Sequence, residues 1–285
     1  MPALTRRKFI KNASLTAAGS LGFTGYGFAS ALELPGLRRQ TFEHPLLPRA
    51  WDGLSILQIS DVHAGPFMGS DRMARIRDMA SGCGADLIVF TGDQMDRRSS
   101  DAEIFAQGFR GLAAPLGVWG VLGNHDHFID PRRSEWALRS AGIEPLVNRS
   151  QVLERGGASL ALVGVDDLNA IDGRGPDFSV LGRHPGAFRI CLCHQPQGWR
   201  QAAAAGAHLM LAGHTHGGQI AIAGRYLNVA RLSTRYIAGP YRRENAFLYV
   251  SRGVGVGAVP VRVGAPPEID LITLRSPAAA AQAVA

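Results

Sequence analysis

The stretch L-S-I-L-Q-I-S-D-V-H, Leu54 to His63, joins a nearly continuous apolar run to a loop that carries an acid and a histidine. A run without strict polar and apolar alternation favours a β-strand that is buried on both faces. Runs of the same kind, ending in polar and glycine-rich sequence, recur at 87–90, 117–122, 160–165, 188–192, 208–211 and 246–250, and a last run covers 269–274. We therefore expect a sheet-rich fold with its loops at the strand ends.

Helical stretches are predicted between the early strands, at 70–81, 102–112 and 134–141. Strand, helix and strand in turn indicate an α/β layered fold, in which ligands gather at the carboxyl ends of the strands. No repeat, charge block or change of composition marks a second domain. The 46% of hydrophobic and 19% of charged residues are near the globular average, which argues against disorder and against a multi-span membrane protein.

The N-terminus resembles an export signal. A basic stretch, T-R-R-K-F-I-K at 5–11, precedes an uncharged segment that ends in the small-residue site Ala29-Ser30-Ala31. The pair Arg6-Arg7 is similar to that of twin-arginine signals, so we expect residues 1–31 to be a twin-arginine signal peptide. The expected partner is the twin-arginine export machinery and the expected location is the periplasm or cell envelope. A leader that is not cleaved would anchor the protein and leaves a membrane surface open as a partner.

The basic charge of the chain lies largely in this leader. Without its four cationic residues the chain has 26 Lys and Arg against 23 Asp and Glu, so we expect no nucleic-acid partner. The three cysteines, Cys83, Cys191 and Cys193, form no C-x-x-C pair, which excludes a zinc knuckle. Cys191 and Cys193 lie on one face of an apolar strand, which favours buried free thiols, although one disulfide stays open.

Polar side chains with metal-binding capacity follow five of the predicted strands. They are Asp61, His63, Asp93, Asn124, His194, His214 and His216. Each motif alone is commonplace, but together they supply imidazole, carboxylate and amide oxygen at one edge of a fold, a set that suits Mn, Fe or Zn better than calcium. Seven candidates exceed one tetrahedral site and fit two ions that share a bridging carboxylate.

The motifs D-V-H, G-D, G-N-H-D, C-H-Q-P and G-H-T-H-G-G-Q resemble those of the calcineurin-like metallophosphoesterases. The resemblance runs from about residue 56 to the end, where S-R-G-V-G-V-G-A-V-P-V-R and P-P-E-I are similar to the closing strands of the bacterial exported branch. It implies a four-layer α/β sandwich, with two mixed β-sheets flanked by helices and a dinuclear metal site at the strand C-terminal ends. The domain would cover 50–275, followed by a disordered tail at 276–285.

The resemblance also implies roles for the metal candidates. Asp61, His63 and His216 would hold one ion, Asn124, His194 and His214 would hold the other, and Asp93 would bridge them. Two divalent ions per chain are expected, with Mn favoured over Fe and Zn. They would neutralise phosphate oxygens and lower the pKa of a bridging water, so that hydroxide attacks phosphorus near neutral pH.

Two further residues of the G-N-H-D motif receive catalytic roles from the resemblance. His125 would approach the scissile phosphate and assist the leaving group, a task that suits a side chain with an unperturbed pKa of about 6.5. Asp126 would orient that imidazole. The expected activity is hydrolysis of a phosphodiester or pyrophosphate, with phosphodiesterase favoured.

Three nearby features fit the motif pattern less closely. Asp96 completes a G-D-x-x-D pattern and is interpreted as structural or as a neighbour of the ligands. His127 is expected to be a partly exposed loop histidine, with substrate contact as the alternative. Asp166 and Asp167 match no ligand motif, so we expect a loop or helix-cap role.

The segment after the second histidine motif is rich in arginine. It carries Arg225, Arg231, Arg235, Arg242, Arg243 and Arg252 against a single acid, Glu244. Arginine grips phosphate with two parallel hydrogen bonds, which indicates a cationic rim for an anionic substrate, with Arg235 and Arg242 as substrate contacts. An ordinary arginine-rich surface is the alternative.

The expected substrate is a phosphoester, and envelope phosphodiesters linked to lipid or cell wall fit an exported enzyme. A pyrophosphatase of the UDP-2,3-diacylglucosamine type, in lipid A metabolism, is an alternative that export disfavours because that substrate is cytoplasmic. A metal-binding envelope protein without turnover is a second alternative, which His125 disfavours because a pure binding site does not need that residue.

Overall fold

A computed structural model describes residues 24–171, 175–222, 227–257 and 259–277. The twin-arginine pair, the rest of residues 1–23, Arg225 and positions 278–285 of the expected tail lie outside the described residues.

Two six-stranded sheets form the centre of the structure. In spatial order the first sheet contains β1 (Gly36–Glu43), β14 (Glu268–Arg275), β2 (Ser55–Ile59), β3 (Leu87–Thr91), β4 (Val118–Val121) and β5 (Glu144–Pro145). The second contains β12 (Gly239–Arg243), β13 (Ala246–Val250), β9 (Leu209–Ala212), β8 (Phe188–Leu192), β7 (Ala158–Gly164) and β6 (Arg149–Arg155). A small hairpin pairs β10 (Ala221–Ile222) with β11 (Leu227–Asn228). Both large sheets are mixed, since β14 is antiparallel to β2, and β6 and β12 are antiparallel to their neighbours.

Within the described residues, six α-helices accompany the sheets. They are α1 (residues 24–32), α2 (Ser70–Gly82), α3 (Asp101–Phe109), α4 (Asn124–Ile129), α5 (Pro131–Ala141) and α6 (Trp199–Ala204). Short 3-10 turns occur at Arg49–Trp51, Phe178–Arg183, Pro196–Gly198, His216–Gly218 and Val229–Leu232. None of the helices in the described ranges has the length and apolar character needed to cross a bilayer.

The layers are helix, sheet, sheet and helix. Helices α2, α3 and α5 cover the outer face of the first sheet, and α6 with the turn Phe178–Arg183 covers the second. Alternate residues of a strand face opposite layers, so Ile56 packs between the sheets while its neighbour Leu57 packs against the helices, and both are fully buried. The predicted four-layer sandwich of two mixed sheets is confirmed.

The sheet begins earlier in the chain than the expected domain start at residue 50. Strand β1 pairs with β14 along its whole length, and only one of its eight residues is buried. At the other end Ser276 is buried and its N–H donates to Asp52 Oδ1 at 2.8 Å, so the first residue of the expected tail belongs to the folded structure.

The thiols follow the sequence-based expectation. Cys191 and Cys193 are free and fully buried, and they pack with α6 in the outer core of the second sheet. Burial raises the pKa of the Cys191 thiol to about 12, which makes it unreactive at neutral pH.

Candidate metal centre

The loops that follow β2, β3 and β9 hold several residues in the left-handed backbone region. Their φ values lie between 49° and 73°, and the residues are Asp61, His63, Asp93, His214 and His216. This conformation costs free energy for residues other than glycine, and it persists where the surrounding structure imposes it, commonly at functional sites. The strained backbone conformations therefore occur at the edge of the sheets where these five side chains come together.

The first group of converging side chains consists of Asp61, His63 and His216. The Nε2 atoms of His63 and His216 lie 3.1 Å apart, and Asp61 Oδ1 lies 3.5 Å from His216 Nε2. One ligand atom from each of the three lies within 4.8 Å of the others, and all three residues are buried. Two imidazole nitrogens and a carboxylate facing one point form a donor set for a divalent cation.

A second group lies beside the first and shares a carboxylate with it. Asn124 Oδ1 lies 3.1 Å from His194 Nε2 and 2.8 Å from His214 Nδ1. Asp93 Oδ2 is 3.3 Å from His194 Nε2 and 3.4 Å from His63 Nε2. Asp93 therefore stands between the two groups, in the position of a shared ligand.

Burial sets the charge of these groups. It lowers the pKa of His63 to about 3 and that of His214 to about 4, and it holds the pKa of His216 well below its ordinary value. These imidazoles are therefore neutral at pH 7 and keep a lone pair for a metal. For His194, burial opposes protonation, but the neighbouring Asp93 carboxylate outweighs it and raises the pKa.

The donor set fits divalent metal. Buried carboxylates require a compensating charge, and burial raises the pKa of Asp61 to about 6. A divalent cation would supply that charge and would take the nitrogen lone pair of His194 in place of its proton. Neutral imidazoles, two carboxylates and an amide oxygen are ligands of the first-row divalent ions.

Contacts behind the ligands fix the ring orientations. His194 Nδ1 lies 2.7 Å from the carbonyl oxygen of Thr91, which can only accept, so Nδ1 carries the hydrogen and Nε2 presents its lone pair to the site. Behind His216, the fully buried guanidinium of Arg262 places Nη2 3.1 Å from Nδ1. The carboxylate of Asp96 lies 3.7 Å from His63 Nδ1.

His125 lies at the edge of the site, half-buried, with its ring edge-on to that of His63 at a centroid distance of 4.6 Å. Its Nδ1 lies 2.9 Å from the carbonyl oxygen of Asp96. Because this oxygen only accepts, Nδ1 carries the hydrogen, and Nε2 is the nitrogen that presents its lone pair.

The expected partner of the His125 ring was Asp126, and this interpretation was wrong. The Asp126 carboxylate accepts the N–H groups of Gln94, Met95 and Gly123, and the Ser134 hydroxyl at 2.5 Å. Helix α4 begins at Asn124, so Asp126 is positioned to hold the start of the helix against the β3 loop. It supports the site by joining two ligand loops rather than by orienting His125.

His127 is buried rather than partly exposed. Its Nε2 lies 2.6 Å from Asp166 Oδ1, and burial, which opposes protonation, is outweighed by this carboxylate, so that the pKa of His127 is raised. Asp167 accepts the Asn169 N–H, a local turn contact as expected, and also the side-chain amide of Gln195. The two acids, which follow β7, thus contact helix α4 and the loop after β8.

Glycine allows the ligand loops to approach each other closely. A Cβ on Gly213 would lie 2.0 Å from Ser60 Oγ and 2.2 Å from Asp61 Oδ2. The next N–H, that of His214, donates to both Asp61 carboxylate oxygens, at 2.9 and 3.1 Å. A side chain at 213 would separate the loop of the last two histidines from that of Asp61.

Arginines line a cavity beside the metal centre. The cavity, of about 350 Å³, includes Gly217, the neighbour of His216, and the arginines Arg38, Arg231, Arg235 and Arg252. The Glu268 carboxylate lies 3.3 Å from both Arg38 and Arg252. Within the described residues, the guanidinium groups of Arg231 and Arg235 hydrogen-bond to no other residue, so cationic charge remains available there.

Arg242 does not join this cavity. Its guanidinium lies over the ring of Phe247, 5.2 Å from the centroid, and its Nε donates to the Glu244 carbonyl. The substrate role expected for Arg242 is therefore not supported by its position, whereas Arg235 lies where an anionic group next to the metals could reach it.

Sequence reasoning missed two contributors to the site. The carbonyl of Asp96 and the guanidinium of Arg262 act through contacts that cross 29 and 46 residues of chain. A backbone carbonyl carries no sequence signal, and Arg262 lies in a strand-like segment where a fully buried arginine is unusual.

The chain is similar to known proteins over most of its length. The family model for calcineurin-like phosphoesterases matches residues 54–218, a range that contains all seven ligand candidates. The uncharacterized metallophosphoesterase YkuE of Bacillus subtilis is 31% identical over 97% of this chain and 99% of its own length. A transmembrane protein with metallophosphoesterase domain from Bos taurus is 32% identical over 88% of this chain, which spans 59% of that protein. Among solved structures, a 5'-nucleotidase precursor from Thermus thermophilus is similar with a TM-score of 0.45 and 15% identity, over 77% of this chain and 54% of that one.

Proposed function

The chain belongs to the calcineurin-like phosphoesterase family, a family of metal-dependent phosphoester hydrolases, and on that premise we propose that it cleaves phosphodiester or pyrophosphate bonds in the cell envelope. The observation that carries the proposal is the pair of buried ligand groups that share Asp93, with the His125 ring beside them. A protein that only retained metal would not need a titratable imidazole at that position.

The metal positions follow from the two groups. Asp61, His63 and His216 would hold one ion, and Asn124, His194 and His214 the other, with Asp93 shared. When bound, two divalent ions, with Mn favoured, would neutralise phosphoryl oxygens and make a water nucleophile available near neutral pH.

The side chains of the protein supply positioning and the proton. The Asp96 carbonyl fixes the His125 ring, and the His125 backbone N–H donates to Asp93 Oδ1 at 2.9 Å, so the ring position is tied to the shared carboxylate. With the hydrogen of Nδ1 held by the carbonyl, a protonated Nε2 is the group that can deliver a proton to the leaving oxygen.

The arginine-lined cavity supports an anionic substrate. Among the described residues the guanidinium groups of Arg231 and Arg235 form no ion pair, although that of Arg235 lies over the Tyr236 ring, and beside the His216 loop they would contact a second negative group of the substrate. A phosphodiester or pyrophosphate that is attached to a further phosphate or carboxylate fits this charge, which agrees with substrates linked to lipid or cell wall.

The proposed location depends on the N-terminal sequence. The twin-arginine pair, the uncharged segment and the small-residue site support export by the twin-arginine route. That route carries folded proteins, so the metals would be inserted before export.

Hydrolysis of bis-p-nitrophenyl phosphate by the purified protein tests the activity. We expect turnover with Mn that EDTA removes. We expect Asp93→Asn to abolish it, and we expect His125→Ala to lower hydrolysis of an alkyl phosphodiester far more than hydrolysis of this activated ester. His184→Ala is the matched control, because His184 is also half-buried but binds Ser150 on the edge strand β6. Bound metal without hydrolysis of any phosphodiester or pyrophosphate would favour the metal-retaining protein instead.

A further inference from the structure

The end of the expected leader is packed against the folded domain. Residues 24–32 form helix α1, and the Gly27 carbonyl accepts the Arg262 N–H at 2.9 Å. A Cβ on Gly27 would lie only 2.6 Å from Val261 Cγ1 and 3.1 Å from Val263 Cγ2. The helix therefore sits directly on the segment 261–263, at a distance that glycine makes possible.

The last two residues of the small-residue site, Ser30 and Ala31, are buried in this arrangement, whereas Ala29 is exposed. Ala31 is 0% exposed and Ser30 is 5% exposed. The Arg72 guanidinium donates through Nη2 to the carbonyls of Ala31 at 3.0 Å and Glu33 at 2.6 Å. Proteolysis requires a segment that is exposed and can leave its secondary structure. At the bond between Ala31 and Leu32 the backbone is helical, Ala31 is buried and its carbonyl accepts a hydrogen bond from Arg72, so that only the Leu32 side is exposed.

The same segment that receives α1 also reaches the metal centre. Arg262 is fully buried and donates to the carbonyls of Gly255 and Ala265, and its Nη2 contacts His216. Five residues before Arg262, a Cβ on Gly257 would lie 3.2 Å from the His63 ring. Loss of α1 would remove one face of the loop that supports two metal ligands.

The outward face of α1 is apolar. Tyr26 is 61% exposed, Phe28 is 42% exposed and Leu32 is 39% exposed, and Val259 on the adjoining loop is 58% exposed. The chain that leads into this helix carries the basic stretch 5–11 and the uncharged segment after it. Exposed aromatic residues, in a chain that carries a basic stretch 15 residues before them, suit the interface of an anionic bilayer.

We propose that α1 remains part of the mature enzyme: folding closes the site after Ala31 to signal peptidase, and the retained N-terminus holds the protein on the membrane with α1 at the lipid surface. This inference rests on the proposed role of residues 1–31 in export. Under this proposal the lipid bilayer is the partner of the protein. The segment 255–263, which supports His63 and His216, then lies next to the membrane surface.

Two glycines in α1 provide a matched test. A Cβ on Gly25 meets no atom within 4 Å, whereas one on Gly27 meets Val261. Gly25→Leu and Gly27→Leu change helix propensity alike, so a difference between them reports the docking of α1. The full-length proteins would be incubated with signal peptidase in detergent and followed by intact mass.

We expect wild type and Gly25→Leu to resist cleavage, and Gly27→Leu to be cut on the order of tenfold faster, because the cleavage rate follows the population of the opened segment. All three should be cut after unfolding in urea. Folded wild type that is cut as fast as the unfolded chain would overturn the proposal. If the unfolded chain also stays intact, the site is no cleavage site, which refutes the leader assignment but leaves retention of α1 supported.

Sedimentation with vesicles tests the second half of the proposal without depending on catalysis. We expect uncut wild type and Gly25→Leu to bind vesicles of phosphatidylglycerol and phosphatidylcholine, and the cleaved form of Gly27→Leu to stay in solution. Equal partition of cut and uncut protein would overturn the membrane role. Hydrolysis of bis-p-nitrophenyl phosphate, measured on the same samples, separates failure of the proposed enzyme activity from failure of α1 retention.

Discussion

Gly213→Ala is expected to separate the two loops that carry the first metal group. A Cβ needs at least 3.0 Å from its neighbours, and at Gly213 it would lie 2.0 Å from Ser60 Oγ, so the loops must move apart by about 1 Å. The φ of Gly213 is not positive, so the effect is steric and not a backbone strain. A shift of this size would break the bonds from the His214 N–H to the Asp61 carboxylate.

The expected loss in kcat/KM is about 100-fold, the usual result when catalytic groups are misplaced by 1 Å. Overpacking should reduce the free energy of unfolding by about 1–3 kcal/mol, which leaves a typical domain folded. Metal content should fall as well, because Asp61 and the histidines that follow Gly213 no longer face the same point.

The measurement combines metal-dependent hydrolysis of bis-p-nitrophenyl phosphate, metal content by mass spectrometry and thermal unfolding. Gly186→Ala is the matched control, since a Cβ there meets no atom within 4 Å and its φ is not positive. Wild-type kcat/KM and metal content in folded Gly213→Ala would refute the reasoning about the loop contact.

Three further outcomes follow from individual side chains. If His125 protonates the leaving oxygen, His125→Ala should lower kcat for an alkyl phosphodiester by about 10²- to 10⁴-fold. The loss should be much smaller for a p-nitrophenyl ester, because its leaving group needs no proton. Equal losses of kcat for the two substrates would contradict this role of His125. Arg235→Gln should raise KM for substrates with a second anionic group by about tenfold, the scale of one charge-assisted contact. Arg243→Gln should leave KM unchanged, because Arg243 lines a different cavity, with Arg189 and Arg200. Burial lowers the pKa of His208 to about 4 from 6.5 in the unfolded chain, so the free energy of unfolding should fall as pH drops from 6.5 towards 4, because the unfolded chain then binds the additional proton. Urea unfolding at pH 7 and pH 5 should show a smaller loss for His208→Gln than for wild type or His184→Gln.

The strands that the sequence predicts correctly are those that are buried on both faces. Strand β3 is buried at every position, and its apolar run is unbroken. Edge strands were missed: β1 is exposed at most positions, and every residue of β6 is at least partly exposed, so neither shows the apolar run that marks an inner strand.

The candidate ligands were identifiable because their residue types are rare in combination. Five strand ends with histidine, aspartate or asparagine indicated a metal site before any distance was known. Helix α4 was not among the predicted helices, and it is only six residues long. The role expected for Asp126 came from the family resemblance, and the residue pattern does not show that the Asp126 carboxylate faces the β3 loop or that His127 is buried.

Residue types and their spacing thus determined the α/β class, the strand ends and the chemistry of the ligand set, because these depend on local pattern and on which side chains can bind metal. The tertiary structure decided which atoms face each other: the Asp96 carbonyl behind His125, Arg262 behind His216, and helix α1 over the small-residue site of the leader. These contacts join segments far apart in the chain through backbone groups and close packing, neither of which leaves a mark in residue composition.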